Sequence, residues 1–336
     1  MTDNKAKVLK VKLDVDLSSL TERDRGAIFH LQNAVRIMDW IYSRQMGYGM
    51  LMPRDGSVFM SGNTFYPTNL PKKELEDFIK NNSDRKDALE SPFTIIRRDV
   101  EDTLTTVTYA ELYSSELAKA AHEMRLASGF IDNIEFKSFL LSRADDFLSN
   151  IYFDCDVHWL KVGVDSPFEL TIGPYEEYED KLLGIRRTFE AFLGIVVPEE
   201  TKKLNRYAEL VRRFDAELAK KYGYQSVKTS NNMLVMDELL TGGEERYCQF
   251  TVSAYSLPND EDFRRDHGSK QVFIRNVIVA KLKYVLLPIA ERLCERDVVL
   301  NYDSEFLALV GHELAHGLGI TYQTRVARTC FSARRM

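Results

Sequence analysis

Three extended stretches constrain this chain most: FELTIGP (168–174), RYCQFTVSAYSLP (246–258) and VFIRNVIV (272–279). Each is dense in β-branched and aromatic residues and bounded by Gly, Pro or Asn, the signature of strands. Strands need partners for their backbone groups, so the stretch at 246–258 is expected to pair with a strand from before residue 196. The flanks have a different period. After Thr21-Glu22-Arg23-Asp24, which reads as a capping box, Ile28, Leu31, Val35, Met38 and Ile41 recur at helical spacing, and Gly47 and Gly49 end the run. Segments 109–128, 134–149 and 201–222 read as amphipathic helices. The last of these carries Leu204, Tyr207, Val211, Phe214 and Leu218 on one stripe, with Pro198 before it and Gly223 at its end. The pattern is helical again from about 280, with a kink expected at Pro288. Helices on both sides of a patch of strands predict an α+β fold, and 336 residues suggest about two domains.

Bulk composition narrows the function classes. Apolar residues make up 44% and charged residues 29%, ordinary for a water-soluble globular chain. A net charge of −6, with Lys and Arg interspersed among acids, gives no basic footprint for nucleic acid. No apolar run approaches the roughly 18 residues of a membrane span, and MTDNKAKVLKVKLDVDL lacks the apolar core of a signal peptide. Cys155, Cys248, Cys294 and Cys330 lie too far apart for a zinc ribbon or a disulfide framework, so a reducing cytoplasm is the expected location.

The sharpest chemical signal is His-Glu-Leu-Ala-His at 312–316. A last helix is expected to begin near Asp303 or Ser304 and to fade at Gly317 or Gly319. On it, His312 and His316 share one face and can aim at one ion. Glu313 can then take the proton of a zinc-bound water as that water attacks a carbonyl. This is the logic of the HExxH metalloproteases. Two exposed histidines on an ordinary helix are the bland alternative. His122, His158 and His267 lack ligand spacing and read as structural; Trp40 and Trp159 read as core.

A second stretch, ADDFLSNIYFDCDVHWLKVGVDSPFELTIGPYEEYEDKLLGIRRTFEAFLGIV (144–196), resembles the dipeptidyl peptidase III family of zinc exopeptidases, especially its shorter bacterial branch. The resemblance continues through SPFTIIRRD (91–99), SLPNDEDFRRDHGSKQVFIRNVIVAK (256–281) and HELAHGLG (312–319), in the family's order over most of residues 18–319. It implies two lobes about a wide cleft. Residues 1–196 with 240–285 would form a lobe holding a small β-barrel. Residues 197–239 with 286–336 would form a mostly helical zinc lobe. It also implies release of dipeptides from the amino end of oligopeptides. No Nudix box, which some relatives carry, is present.

Residue by residue, the resemblance assigns Glu176 in PYEEYED and Glu190 in TFEAF to the substrate's free amine. Asn259 in SLPND would hydrogen-bond the peptide backbone, and Ser256 stands where the family has a second asparagine. Tyr178 would donate to the developing oxyanion. Spacing alone favours a plainer reading, with EEYED a solvated acidic turn and Glu190 a surface residue.

The pattern breaks at the end. A catalytic zinc takes three protein ligands, and the family draws its third from a later glutamate. Here the last 17 residues, ITYQTRVARTCFSARRM, hold four Arg and no acid. The zinc lobe is therefore expected to be incomplete. Either the third ligand comes from Cys330, Glu305 or another chain, or the chain is an inactive remnant that binds peptides at most. Weak, easily chelated zinc and weak or no hydrolysis are expected.

Overall fold

The computed structural model describes residues 10–47, 64–223, 231–247, 251–293 and 300–315. Helix α1 (Glu22–Gln45) leads to two short helices, α2 (Lys72–Asn81) and α3 (Lys86–Leu89). A hairpin of β1 (Thr94–Arg98) and β2 (Leu104–Thr108) follows. Then come α4 (Tyr109–Leu112), α5 (Ser114–Ser128), α6 (Ile134–Ser149) and α7 (Phe153–Lys161). Strands β3 (Phe168–Glu176) and β4 (Thr188–Val196) precede α8 (Pro198–Tyr222) and β5 (Asn231–Gly243). The chain continues through α9 (Glu244–Tyr247), β6 (Ala254–Leu257), α10 (Glu261–His267) and β7 (Ser269–Ile274). Helices α11 (Arg275–Lys281), α12 (Leu287–Leu293) and α13 (Tyr302–Ala315) complete it. The fold is α+β.

The helix boundaries follow from local chemistry. The Thr21 hydroxyl accepts the Asp24 N–H while the Asp24 carboxylate accepts the Thr21 N–H, the reciprocal pair of a capping box. Leu31, Val35, Met38 and Ile41 of α1 are buried against β4 and β5, and Gly47 leaves the helix at φ +72°. Helix α6 begins under the Asn133 side chain and ends at Asn150 in the left-handed region. Pro198 opens α8 in its first turn, where its missing N–H costs nothing. Of the expected stripe on α8, Leu204 is buried and Tyr207 and Leu218 are half-buried, whereas Phe214 is exposed. The kink expected at Pro288 takes the form of a π-helical turn, Leu282–Leu286, directly before it.

The five strands run in the order β3-β4-β5-β7-β6, with only the β5–β7 pair parallel. Strands β5 and β7 separate two apolar clusters by their period of two. Leu234, Met236, Val272 and Ile274 enter the main core with α1, α5 and α6. Met233, Val235 and Phe273 join Leu204, Ile278, Phe306 and Val310 on the other side. Helix α13, which carries His312 and Glu313, is held there: Phe306 meets Phe273 edge-on with ring centroids 5.5 Å apart.

Several expectations are revised. Among the described residues the stretch 246–258 is strand only from Ala254, and it pairs with β7, reaching β4 through β7 and β5 rather than directly. The stretch 272–279 turns from strand to helix at Arg275. There the Asn276 side chain accepts the Glu238 N–H at 3.0 Å and donates to the Glu238 carbonyl at 2.9 Å, so β5 is bonded by a side chain and α11 is free to coil. Nor does the sheet close into a barrel: among the described residues β3 and β6 are its two edges, without a ladder between them. Strand β6 has four residues and spends them on β7. The sheet nevertheless curls until side chains bridge its edges. The Tyr255 and Thr171 hydroxyls lie 2.9 Å apart, and Lys270 Nζ reaches Glu169 Oε2 at 2.5 Å, with the Trp159 indole N–H donating to the same carboxylate. Trp159 is core as expected, but Trp40 is half exposed. No helix among the described residues is long and apolar enough to cross a membrane.

Candidate active site

The open end of the curled sheet gathers acids from four segments. Strand register does much of this. Glu190 on β4 stands opposite Gly173 of β3 on one side and Gly243 of β5 on the other. Neither neighbour has a side chain to crowd it. Helix α1 fixes this end of the sheet: Gln45 accepts the Phe189 N–H at 2.9 Å and donates to the Arg187 carbonyl, while Asp39 accepts the Gly243 N–H and holds Arg246. Gly242 allows that approach, since a Cβ there would lie 2.3 Å from the Val35 carbonyl oxygen.

The β3–β4 loop is anchored from beneath. Asp180 accepts backbone N–H groups from Leu182, Leu183, Ile185 and Arg186, and the Tyr66 hydroxyl. Burial opposes that charge, but these donors outweigh it and hold the carboxyl below its ordinary value. Arg186, fully buried, ties the loop to the Thr94 and Leu89 carbonyls. Beneath β3, buried Arg143 donates to Asp156 and to the Tyr175 hydroxyl, both at 2.6 Å.

On this frame Glu176 ends β3 after a bulge; the side chains of Asn259 and Tyr178 bear on its carboxyl, whose Oε2 has no hydrogen-bond partner among the described residues. Burial raises its pKa, the Asn259 side chain opposes the rise, and the charge of Glu177 adds to it. Glu190 is buried, and its Oε1 has no hydrogen-bond partner among the described residues. Burial pushes its carboxyl well above the usual range, and the charges of Glu176, Glu244 and Glu245 push it further. Tyr178 is exposed, and its phenol is raised by the charge of Glu176 and by burial. Ser256 is not part of this group by any hydrogen bond: its hydroxyl accepts from Gln271 at 3.2 Å within the β6–β7 pair.

The sequence reading missed Glu244. It opens α9 directly after Gly243, and the Thr188 hydroxyl joins it to the Glu176 backbone carbonyl. Burial raises Glu244 to about 7, against the Thr188 bond and with the charges of Glu176, Glu179 and Glu245. The one available signal was GGEE at 242–245, an acidic pair at the end of an apolar run.

Of the metal motif, His312 is exposed and Glu313 buried on α13, which packs beside β6 and α11. His316 and Cys330 lie outside the described residues. Glu305 is two helical turns from His312, about 10 Å along the axis, too far to share an ion with it. Among the described residues no three His, Cys, Asp or Glu side chains could hold a metal together.

Comparison with known proteins settles the family. The peptidase family M49 profile matches residues 64–330. The chain belongs to peptidase family M49. M49 relatives agree in fold and sequence. The structure of DPP III from Caldithrix abyssi superposes with a TM-score of 0.79 at 29% identity, covering 90% of this chain and 65% of that one. Dipeptidyl-peptidase III from Corallococcus sp. strain EGB gives 0.77 at 28% identity, covering 92% and 65%. Nudix hydrolase 3 of Arabidopsis thaliana is 30% identical over 281 residues, 77% of this chain and 36% of that protein. Dipeptidyl peptidase 3 of Dictyostelium discoideum is 25% identical over 217 residues, 63% and 30%. The chain thus spans about a third of the curated relatives' length and 65% of the solved structures'.

Proposed function

We propose that the acids at the open end of the sheet receive the free amino end of an oligopeptide, and that the chain acts as a zinc-dependent exopeptidase releasing dipeptides from that end. In this reading Glu176 and Glu190 bind the ammonium, Asn259 and Ser256 hold the peptide backbone, and Tyr178 donates to the developing oxyanion. His312 and His316 hold the zinc, whose part when bound is to acidify a water, and Glu313 is the base for that water. The cytoplasm is the proposed location.

One observation supports the reading most. Two neighbouring carboxyls, Glu176 and Glu190, each keep a buried oxygen without a hydrogen-bond partner among the described residues, with the side chains of Asn259 and Tyr178 bearing on the first. A buried polar atom left unpaired costs roughly 1–3 kcal/mol. An ammonium supplies three donors and a positive charge, which answers both the missing bond and the repulsion among these acids. An amine end is also the one feature that separates a peptide's terminus from its interior.

The test is hydrolysis of a tetrapeptide and of its N-acetylated form by the full chain, with zinc content measured in parallel. Dipeptide release from the free peptide alone, abolished by Glu313→Ala, is the expected result. Equal cleavage of both peptides would end the amine reading, and binding without release would reduce the function to peptide capture.

A further inference from the structure

We propose, resting on the amine-receptor reading above, that Glu244 is a third carboxyl of that receptor, protonated while the receptor is empty and losing its proton to solvent as an ammonium enters. Geometry gives the first argument. Thr188 Oγ1 lies 3.0 Å from the Glu176 carbonyl oxygen and is hydrogen-bonded to Glu244 Oε2 as well. A hydroxyl has one proton to donate. Both contacts are satisfied together only if the Glu244 carboxyl donates to Thr188 and Thr188 donates to the Glu176 carbonyl, the reverse of the donation to an ionised Glu244 that would lower its pKa. With Glu244 ionised, two acceptors compete for one proton.

Glu190 gives a second, independent argument. Its orphaned, buried Oε1 marks a position where a donor is missing, and the charge of Glu244 bears on it. Glu244 itself is part-exposed, so a ligand can reach it. The groups around Glu244 are predominantly acidic: Glu176 on β3, Tyr178 and Glu179 in the following loop, Glu190 on β4 and Glu245 beside it on α9. Of the nearby cations, Arg246 is held by Asp39 of α1, and the charge of Arg187 bears on Glu176. Burial and these charges hold Glu244 at about 7, so it stays protonated in mildly acidic solution.

The exchange balances. The carboxylic acid plus an alkylammonium gives a carboxylate–ammonium pair and one proton in solvent. An opposite charge within a few ångströms lowers a carboxyl's pKa, and that drives the release. A neutral, acylated terminus provides no such charge and releases nothing.

Titration calorimetry tests this on the full chain carrying Glu313→Ala, so that nothing is hydrolysed. Tetraalanine and its N-acetylated form are titrated in two buffers of different ionisation enthalpy, from pH 6 to pH 8. Free tetraalanine should release at least one proton at pH 6, because Glu190, held well above its ordinary value, loses its own by the same argument. The share due to Glu244, read as the difference between parent and Glu244→Gln, should vanish by pH 8. Adding Glu244→Gln should remove about one proton of release at pH 6. Glu244→Asp should keep it. Binding of free tetraalanine with no proton released at pH 6 would overturn the proposal without any change at Glu244. So would equal release from the glutamine variant. Equal affinity for the acetylated peptide would instead defeat the underlying amine reading, whatever Glu244 does.

Discussion

Replacing Glu238 with glutamine isolates the cost of a buried charge in this sheet. Glu238 lies on β5, is 9% exposed, and its Oε2 has no hydrogen-bond partner among the described residues. Burial, and then the charge of Glu245, raise its carboxyl from 4.5 to about 7. At about 1.4 kcal/mol per pH unit, ionising it inside the fold costs roughly 3 kcal/mol. The sign follows from linkage. The unfolded chain binds this proton only below about 4.5, and the folded chain keeps it up to about 7. The contribution is therefore complete below pH 4.5 and lost as pH rises through 7. Glutamine keeps the shape and never ionises. Glu238→Gln should change stability little at pH 5 and raise it by up to roughly 3 kcal/mol at pH 8, on the order of 5 °C in Tm. Urea unfolding of both proteins, followed by circular dichroism at the two pH values, reads the effect as a difference of differences. The same offset between parent and variant at pH 5 and pH 8 would refute the reasoning.

Three further outcomes are expected. Lys270→Met leaves Glu169 buried with only the Trp159 N–H, and should cost about 3–5 kcal/mol in chemical unfolding. Adding Glu169→Gln should recover more than half of that; no recovery would mean the ion pair is not the cause. Gly243→Ala places a Cβ 2.1 Å from the Phe189 carbonyl oxygen at φ +65°, whereas Gly184→Ala, at φ +71°, meets nothing within 4 Å. The first should abolish stable folding and the second should cost only about 1–2 kcal/mol, compared by thermal melts. Asn259→Ala removes an amide that bears on the Glu176 carboxyl and should weaken binding of a free-amine peptide about tenfold in calorimetry, leaving the N-acetylated peptide unaffected.

Local chemistry made the helices legible in the sequence. Thr21 with Asp24, and Pro198 with Gly223, each act within a turn or two of the backbone they start or stop, so their order along the chain is enough. Strands β4 and β5 gave no such signal. TFEAFLGIV and NNMLVMDELLTGG do not alternate, because both their faces are covered, and a continuous apolar run has no period to read. The shift from strand to helix at Arg275 depends on Asn276 meeting Glu238, which is 38 residues away. The candidate site divides along the same line. The order of motifs singled out Glu176, Glu190, Tyr178 and Asn259. Glu244 joins them only because strand pairing brings it to Thr188 across 56 residues. Nor did any local pattern say that Glu190 would be buried between two glycines of neighbouring strands. A helix cap depends on atoms a few residues apart, whereas the charge state of a carboxyl depends on everything packed around it, and only the tertiary register of β3, β4 and β5 determines what that is.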